Sequence, residues 1–418
     1  MEVAAVAAGA HESPLAAVVL LVAVVLVAAK LGGELAVRLR QPAVLGELVI
    51  GVLLGNLHLL GWGALESARW DPALDLLAQL GVLILLFEIG LESTVGQMMK
   101  VGVTSLVVAV LGVAAPFGLG WLVGAWLLPD AGTYVHLFLG ATLSATSVGI
   151  TARVLKDVGR SDSDEARVIL GAAVIDDVLG LVVLAVVTGA IAAADQGGSV
   201  SALGIGWIVL KAALFLFGSL AVGVTVSRRV FFFASKLRAR GVLLALGLAF
   251  CFFLAWLSTA VGLAPIVGAF AAGLILEDVH YRDFTDRGEH GLDDLVRPIS
   301  SFLAPIFFVL MGMRTDLRSF ASAGVLGLAG ALTLAALAGK QACGLGVRRG
   351  LDRLSIGIGM IPRGEVGLIF ANIGLGLTLH GRRILDEATF SAVVMMVIVT
   401  TLVAPPALTW SLRRKRAC

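Results

Sequence analysis

Charged side chains are scarce in this 418-residue chain. Asp, Glu, Lys and Arg make up 14% of it, whereas they account for about 25% of an average soluble domain. This deficit excludes a disordered chain, a coiled coil and an ordinary soluble enzyme. Cysteine is also rare, and three cysteines cannot build a disulfide framework. The net charge of +2 provides no basic field for nucleic acid, and no motif indicates a bound metal or another cofactor.

Apolar residues are abundant instead. Hydrophobic side chains make up 59% of the chain, together with 51 glycines, which membrane helices tolerate because small residues let backbones approach closely. A spanning helix needs about 20 apolar residues. The composition therefore predicts an all-α polytopic membrane protein with about thirteen transmembrane helices. The thirteen apolar runs lie at residues 13–37, 42–60, 73–92, 99–127, 134–156, 165–194, 203–226, 241–262, 264–278, 299–313, 320–347, 353–379 and 388–411.

Loop charges predict the orientation of these helices. Cytoplasmic loops carry an excess of Lys and Arg. With the N-terminus outside, 22 of the 31 basic residues fall in inside loops and five in outside loops. We therefore expect a multi-pass protein of the inner (plasma) membrane with the N-terminus outside and the C-terminus in the cytoplasm. The polar stretch 277–298 is predicted to be a cytoplasmic loop, and no nucleotide-binding domain is expected after the last span.

Two adjacent carboxylates interrupt the sixth run. Asp176 and Asp177 lie midway along it, where an ionised carboxylate costs about 2.5–3.5 kcal/mol, and such residues usually mark ion pathways. Neighbouring helical residues point about 100° apart, so one Asp can face a water-filled cavity while the other faces a neighbouring helix. The pair predicts a site that binds either a cation or protons. The alternative is a structural pair held by hydrogen bonds or a basic partner.

Hydroxyl side chains interrupt the fifth run. Residues 140–155 read GATLSATSVGITARVL and contain Thr146 and Ser147 near their centre. This pattern is typical of an unwound segment whose carbonyls and hydroxyls coordinate a cation. The alternative is a continuous helix whose hydroxyls bond back to its own carbonyls.

The twelfth run combines helix breakers with charge. Pro362 removes a helix hydrogen bond within a glycine-rich segment, and Arg363 and Glu365 follow it in mid-span. Such an interruption predicts a second broken helix. We expect Arg363 to partner an Asp or exposed carbonyl ends, unless it forms a local pair with Glu365 at a proline kink.

Two further buried charges stand alone in apolar runs. Glu88 lies in LLFEIGLES and Lys340 in LAALAGKQACG. Since their signs are opposite, we predict that they form a structural ion pair.

Together these segments resemble the monovalent cation:proton antiporter family, in the branch that contains bacterial NapA and Kef-type carriers. They occur in family order and cover nearly the whole chain. The resemblance rests on GELVIGVLLGN at 46–56, LLFEIGLES at 85–93, TLSATSVGITARVL at 142–155, VIDDVLGLVVL at 174–184, PIFFVLMGMRTDL at 305–317 and IPRGEVGLIF at 361–370.

The resemblance implies a NapA-like fold of two inverted repeats, in which the broken fifth and twelfth spans cross. It implies a core domain of about 99–194 and 320–412, a dimerisation domain of about 13–92 and 241–313, and a linker helix at about 203–226. A homodimer would transport ions by the elevator form of alternating access.

The resemblance also implies the roles of single residues. Asp177 would be the main ion-binding carboxylate and Asp176 its partner, with Thr146 and Ser147 at the first break. Arg363 would stand where electrogenic members carry a lysine, with Glu365 as a further charge-compensating group. Because arginine stays protonated in proteins, any transported proton would then be carried by the Asp pair.

The resulting expectation is a carrier and not an enzyme. It would exchange Na⁺, and Li⁺, for protons, with Na⁺ and the proton competing for Asp177 in the lipid bilayer. A potassium:proton antiporter without its regulatory domain is the nearest alternative. A cation channel is a more distant one.

Overall fold

The computed structural model describes residues 14–414 apart from 40, 63–64, 93–101, 161–162, 196–201, 238, 240, 277–289, 319–321 and 348–349. Within these residues the fold consists of α-helices, a few short 3-10 helices and one small hairpin. The helices are α1 (Pro14–Arg38), α2 (Ala43–Gly55), α3 (Pro72–Glu92), α4 (Val103–Leu127), α5 (Thr133–Ser144), α6 (Val148–Asp157), α7 (Asp164–Asp195), α8 (Ala202–Ala234), α9 (Val242–Ala260), α10 (Pro265–Ile275), α11 (Leu292–Met313), α12 (Ala323–Gln341), α13 (Arg353–Gly359), α14 (Gly364–Gly376) and α15 (Glu387–Arg414). Strands β1 (Thr378–Leu379) and β2 (Arg382–Arg383) pair antiparallel between α14 and α15.

The all-α polytopic class predicted from composition is confirmed. Among the described residues, eight helices are long and apolar enough to cross a membrane, and up to ten spans result if two bent helix pairs each count as one. One of these pairs is α13 with α14, which meet at 48°. Helices α2 and α10 are shorter apolar segments. Each of the thirteen apolar runs contains a helix or a broken pair, while thirteen full crossings stay a prediction.

The start of α11 differs from the sequence-based expectation. The polar stretch 277–298 was predicted to be a loop. Residues 277–289 lie outside the described residues, and the helix begins at Leu292 and includes Pro298 and Pro305. Two acidic residues lie in its first turn, where they interact favourably with the positive end of the helix dipole. The apolar run starts only after Pro298, so hydropathy placed the beginning of the helix too late.

The helices pack in two groups joined by α8. In the first group, α3 lies against α10 and α11, α2 lies against α1 and α11, and α9 lies against α10. In the second group, α4 lies against α5, α7 and α12, and α15 lies against α12 and α14. Helix α8 contacts α7 of the second group and α10 of the first. The division into a core domain and a dimerisation domain, which the resemblance implies, stays a prediction.

Glycine permits a close crossing of α2 and α11 in the first group. A Cβ atom on Gly51 of α2 would lie 2.2 Å from the carbonyl oxygen of Val309 in α11. A Cβ on Gly312 would lie 2.2 Å from the carbonyl oxygen of Leu48. Any side chain at either position would push the two backbones apart, because packed helices leave no free volume at such a contact.

Candidate ion-binding site

Two helix breaks meet at the centre of the second group. The first lies at residues 145–147, between α5 and α6, and the second at 360–363, between α13 and α14. The backbone N–H of Ser147 donates to the carbonyl oxygen of Pro362 at 2.7 Å. Helix ends carry unsatisfied backbone groups, so each break supplies partners to the other. The predicted crossing of two broken helices is confirmed.

Local sequence explains the second break. Pro362 has no N–H to donate, and Gly364 has a φ of 32°, which is outside the right-handed helical region. A Cβ atom on Gly364 would lie 2.6 Å from the Ser147 hydroxyl oxygen. The carbonyl oxygen of Gly359, left free at the end of α13, accepts from Thr151 Oγ1 at 2.6 Å. Local residues therefore cause the second break, and the hydrogen bond from Thr151 of α6 stabilises it.

The hydroxyls around the first break divide into two kinds. Thr142 donates to the carbonyl oxygen of Phe138 at 2.9 Å, and Ser144 bonds back to its own helix in the same way. By contrast, Ser147 Oγ donates across to Glu365 Oε2 at 2.6 Å. Thr146 Oγ1 is buried and has no hydrogen-bond partner among the residues that the structure describes. The back-bonding alternative thus describes the residues before the break but not those within it.

Two buried cations lie against the carbonyl ends of the first break. Arg363 Nη1 donates to the carbonyl oxygen of Ala145 at 2.6 Å, and Lys340 Nζ donates to that of Ser144 at 3.0 Å. Both side chains have no exposed surface. Of the partners expected for Arg363, the structure shows carbonyl ends and not a local pair with Glu365. The two cations offset the negative end of α5.

Lys340 also contacts the acidic pair directly. Its Nζ lies 3.0 Å from Asp176 Oδ1, and neither side chain is exposed. The predicted pair between Glu88 and Lys340 is therefore wrong, since Glu88 instead lies 3.8 Å from Arg297. The cation in contact with the acidic pair is this lysine of α12, while Arg363 contacts the Ala145 carbonyl oxygen; that Arg363 stands where electrogenic members carry a lysine stays a prediction. The pair of Glu88 and Lys340 was predicted from opposite sign and burial, and neither property determines which helices are neighbours.

The two carboxylates of α7 point to different surroundings. Asp176 is 1% exposed and faces Lys340, while its Oδ2 accepts no hydrogen bond from any described residue. Asp177 is half-buried and lines a cavity of about 240 Å³ together with Thr146 and Glu365. This is the divergence that the helical spacing predicts. The cavity thus brings together a carboxylate, an unpartnered hydroxyl and a second carboxylate beside two helix breaks.

Further acidic residues lie on the side of the cavity where α3 ends. Glu92 lines the Asp177 cavity, and it shares with Glu88 and Glu365 the lining of an adjoining cavity of about 320 Å³. The end of α3 and the start of α7 both belong to the predicted cytoplasmic face. Glu92 was not among the site residues predicted from the sequence. It follows Glu88 by four residues, which places both on one helix face, and this spacing is the sequence pattern that could have indicated a role for Glu92.

A second polar cluster lies at the opposite end of the molecule. Arg314 Nη2 lies 2.5 Å from Asp75 Oδ1, and Arg314 Nη1 donates to Asn372 Oδ1 at 2.9 Å. Its guanidinium stacks 4.8 Å from the ring centroid of Trp70. These residues line a cavity of about 560 Å³, which Arg383 of the hairpin also borders. The cluster joins the first helix group to α14.

Comparison with known proteins agrees with this architecture. Residues 16–414 match the family model described as "Sodium/hydrogen exchanger, transmembrane". The chain is 38% identical to the high-affinity Na⁺/H⁺ antiporter NhaS3 of Synechocystis sp., over 94% of this chain and 89% of the relative. It is 34% identical to the Na⁺/H⁺-K⁺ antiporter GerN of Bacillus cereus, over 94% of this chain and 96% of the relative.

More distant comparisons extend the same picture. Identity to the K⁺/H⁺ antiporter subunit KhtU of Bacillus subtilis is 30%, over 78% of each chain. The fold is similar to that of the sodium proton antiporter MjNhaP1 of Methanocaldococcus jannaschii, with a TM-score of 0.75 at 17% identity. That match covers 95% of this chain and 98% of the other.

Proposed function

The chain belongs to the transmembrane sodium/hydrogen exchanger family, and we propose that it exchanges Na⁺ or Li⁺ for protons at the Asp177 cavity. The observation that carries this proposal is the half-buried carboxylate of Asp177 beside the unpartnered Thr146 hydroxyl. Both lie where two broken helices cross, and broken helices expose oxygen ligands for small cations. NhaS3 and GerN, whose names state Na⁺/H⁺ exchange, support the choice of ion.

Competition for one carboxylate provides the coupling. Either a proton or a cation compensates the charge of Asp177, and the occupied site can then cross the hydrophobic barrier between the two helix groups. An empty, ionised Asp177 cannot do so, because a bare charge in hydrocarbon is costly. The empty site therefore does not change sides, and inward movement of one ion requires outward movement of the other.

Lys340 bears on the proton stoichiometry, which the sequence leaves open. Arginine keeps its proton, whereas a buried lysine can release it, and Lys340 is held by Asp176 at 3.0 Å. If a cation draws Asp176 toward Asp177, Lys340 loses its counter-charge and gives up a proton. Two protons would then be exchanged for one Na⁺, which makes the proposed transport electrogenic.

The two helix groups supply the moving parts in this proposal. The second group, with α4–α7 and α12–α15, would be the core domain that carries Asp176, Asp177 and both breaks. The first group would form the dimerisation domain of a homodimer in the inner membrane, with the N-terminus outside. Helix α8 would link them. This division is supported by the packing, because the Asp pair and both breaks belong to one group, while α3 and α10 of the other group complete the lining of the Asp177 cavity.

The test is proton flux in everted vesicles or proteoliposomes, followed with a pH-sensitive dye. Na⁺, Li⁺, K⁺ and choline are added separately to the protein and to Asp177→Asn. We expect Na⁺ and Li⁺ to dissipate the pH gradient and Asp177→Asn to abolish the response. Asp195→Asn, which removes an exposed carboxylate at the far end of the same helix, should respond like the parent protein. No cation response from folded protein between pH 6 and 9 would overturn the proposal.

Potassium:proton exchange is the second candidate. It is supported by the relatives GerN and KhtU, whose names include K⁺. The same assay separates the two, since a response to K⁺ without one to Na⁺ would favour this candidate.

A further inference from the structure

A large cavity at the end of α15 is distinct from the ion site. It has a volume of about 840 Å³. Helices α6 and α15 form most of its wall, and Leu39 and Gln41, which follow α1, close it from the other helix group. All of these segments lie at the predicted cytoplasmic face. Its lining consists of Leu39, Gln41, Val154, Val158, Pro405, Pro406, Thr409, Trp410, Arg413 and Arg414.

The cavity has a charged end and an apolar wall. Arg413 and Arg414 supply two positive charges, and the lining given by the described residues contains no acidic side chain. The apolar wall is formed by valines and by the two prolines of α15. A basic end beside an apolar groove is complementary to a molecule that carries a phosphate on one side and hydrocarbon on the other.

The two arginines are not both engaged elsewhere. Arg414 lies 3.9 Å from Asp352, with its side chain 53% exposed, and its guanidinium lies 5.5 Å from the ring centroid of Trp410. Arg413 is exposed, and no ion pair is formed by it within the part of the chain that the structure describes. A phosphate bound between Arg413 and Arg414 would therefore compensate the positive charge at this end of α15.

The position favours a lipid over a soluble anion. Trp410 is 59% exposed, and tryptophan is enriched where a membrane protein meets the headgroup layer. The sequence continues from α15 as the basic run RRKR at 413–416, and clusters of four or more basic residues at the cytoplasmic end of a membrane helix attract anionic lipids. We propose that this cavity binds an anionic phospholipid of the cytoplasmic leaflet, with its phosphate at Arg413 and Arg414 and its acyl chains along Val154 and Val158.

Native mass spectrometry of delipidated full-length protein tests the proposal, with phosphatidylglycerol and phosphatidylcholine titrated in parallel. We expect preferential retention of phosphatidylglycerol. One basic residue near the membrane surface accounts for about a fivefold change in anionic lipid affinity. Arg413→Gln should therefore weaken phosphatidylglycerol binding about fivefold. Arg318→Gln, which removes an exposed arginine at the opposite end of the molecule, should leave it unchanged.

A second variant tests the apolar wall without changing charge. Val158→Phe narrows the groove and should weaken phosphatidylglycerol binding while both arginines remain. Inorganic phosphate, added in a thermal-unfolding assay, should give no stabilisation comparable to the lipid. Equal binding of phosphatidylcholine, equal effects of Arg413→Gln and Arg318→Gln, or full stabilisation by phosphate alone would each overturn the proposal. These readouts measure binding, so they are independent of which ion the protein transports.

Discussion

At the scale of single residues, the buried hydroxyl of Thr146 has a functional signature, because it has no hydrogen-bond partner in the described part of the chain. A buried polar group without a partner costs about 1–3 kcal/mol. We expect Thr146→Val to raise the KM for Na⁺ about tenfold, which corresponds to about 1.4 kcal/mol of lost cation binding, without lowering the thermal midpoint. Initial rates of Na⁺-driven proton flux and thermal unfolding measure the two effects.

Thr142 is the matched control for this prediction, because it lies near the end of α5, four residues before Thr146, and has a hydrogen-bond partner. It donates to the Phe138 carbonyl oxygen at 2.9 Å. Thr142→Val should lower the thermal midpoint slightly and leave the KM for Na⁺ unchanged. If both valine variants shift the KM equally, the Thr146 hydroxyl is not a cation ligand.

The pair of Lys340 and Asp176 is the second residue-scale feature, since both side chains are fully buried. Removing one partner of a buried ion pair leaves an uncompensated charge and typically costs about 3–5 kcal/mol. Lys340→Gln should therefore lower the thermal midpoint strongly, and adding Asp176→Asn should recover part of the loss. Lys30→Gln, at an exposed position of α1, should change the midpoint little. A double variant no more stable than Lys340→Gln alone would contradict the pairing.

At the scale of elements, the second helix break depends on one backbone conformation. Gly364 has a φ of 32°, and a Cβ there would meet the Ser147 hydroxyl at 2.6 Å. We expect Gly364→Ala to destabilise the protein by about 2 kcal/mol or more, through both strain and steric overlap, and to impair transport. Gly376→Ala is the control at the end of the same helix, where a Cβ would meet nothing within 4 Å. Comparable midpoints and transport rates for the two variants would show that the break tolerates a side chain.

Sequence reasoning succeeded for elements whose cause is local. Pro362 and its surrounding glycines break α13 from α14, and adjacent Asp176 and Asp177 diverge because they share one helix. It failed for contacts between distant segments. Lys340 meets Asp176 across 164 positions of sequence, and the choice of partner depends on how α7 and α12 pack. The start of α11 was missed because an amphipathic, acidic first turn has low hydropathy even when it is helical.

At the scale of the whole molecule, the two ends of the boundary between the helix groups differ. At one end, the Asp177 cavity and its acidic neighbour lie open along α3. At the other end, Arg314 of the first group donates to Asn372 of α14 at 2.9 Å, while Asp75, which also contacts Arg314, belongs to the first group itself. The contact between Arg314 and Asn372 must break if the two groups move past each other. The contact between Arg314 and Asp75 need not, because both residues belong to the first group.

This difference yields a prediction about the balance between conformations. Asn372→Leu removes a hydrogen bond that exists only while this end is closed, and such a bond contributes about 1 kcal/mol. The ratio of the two conformations should change by up to about fivefold, away from the conformation in which the Arg314–Asn372 end is closed. In right-side-out and everted vesicles, the KM for Na⁺ should rise at the face where the Asp177 cavity opens and fall at the other. Asp75→Asn breaks a contact within one group, so it should lower the thermal midpoint while leaving the ratio of the two KM values unchanged. If Asn372→Leu changes both KM values in the same direction, relative motion of the two groups is not what this contact controls.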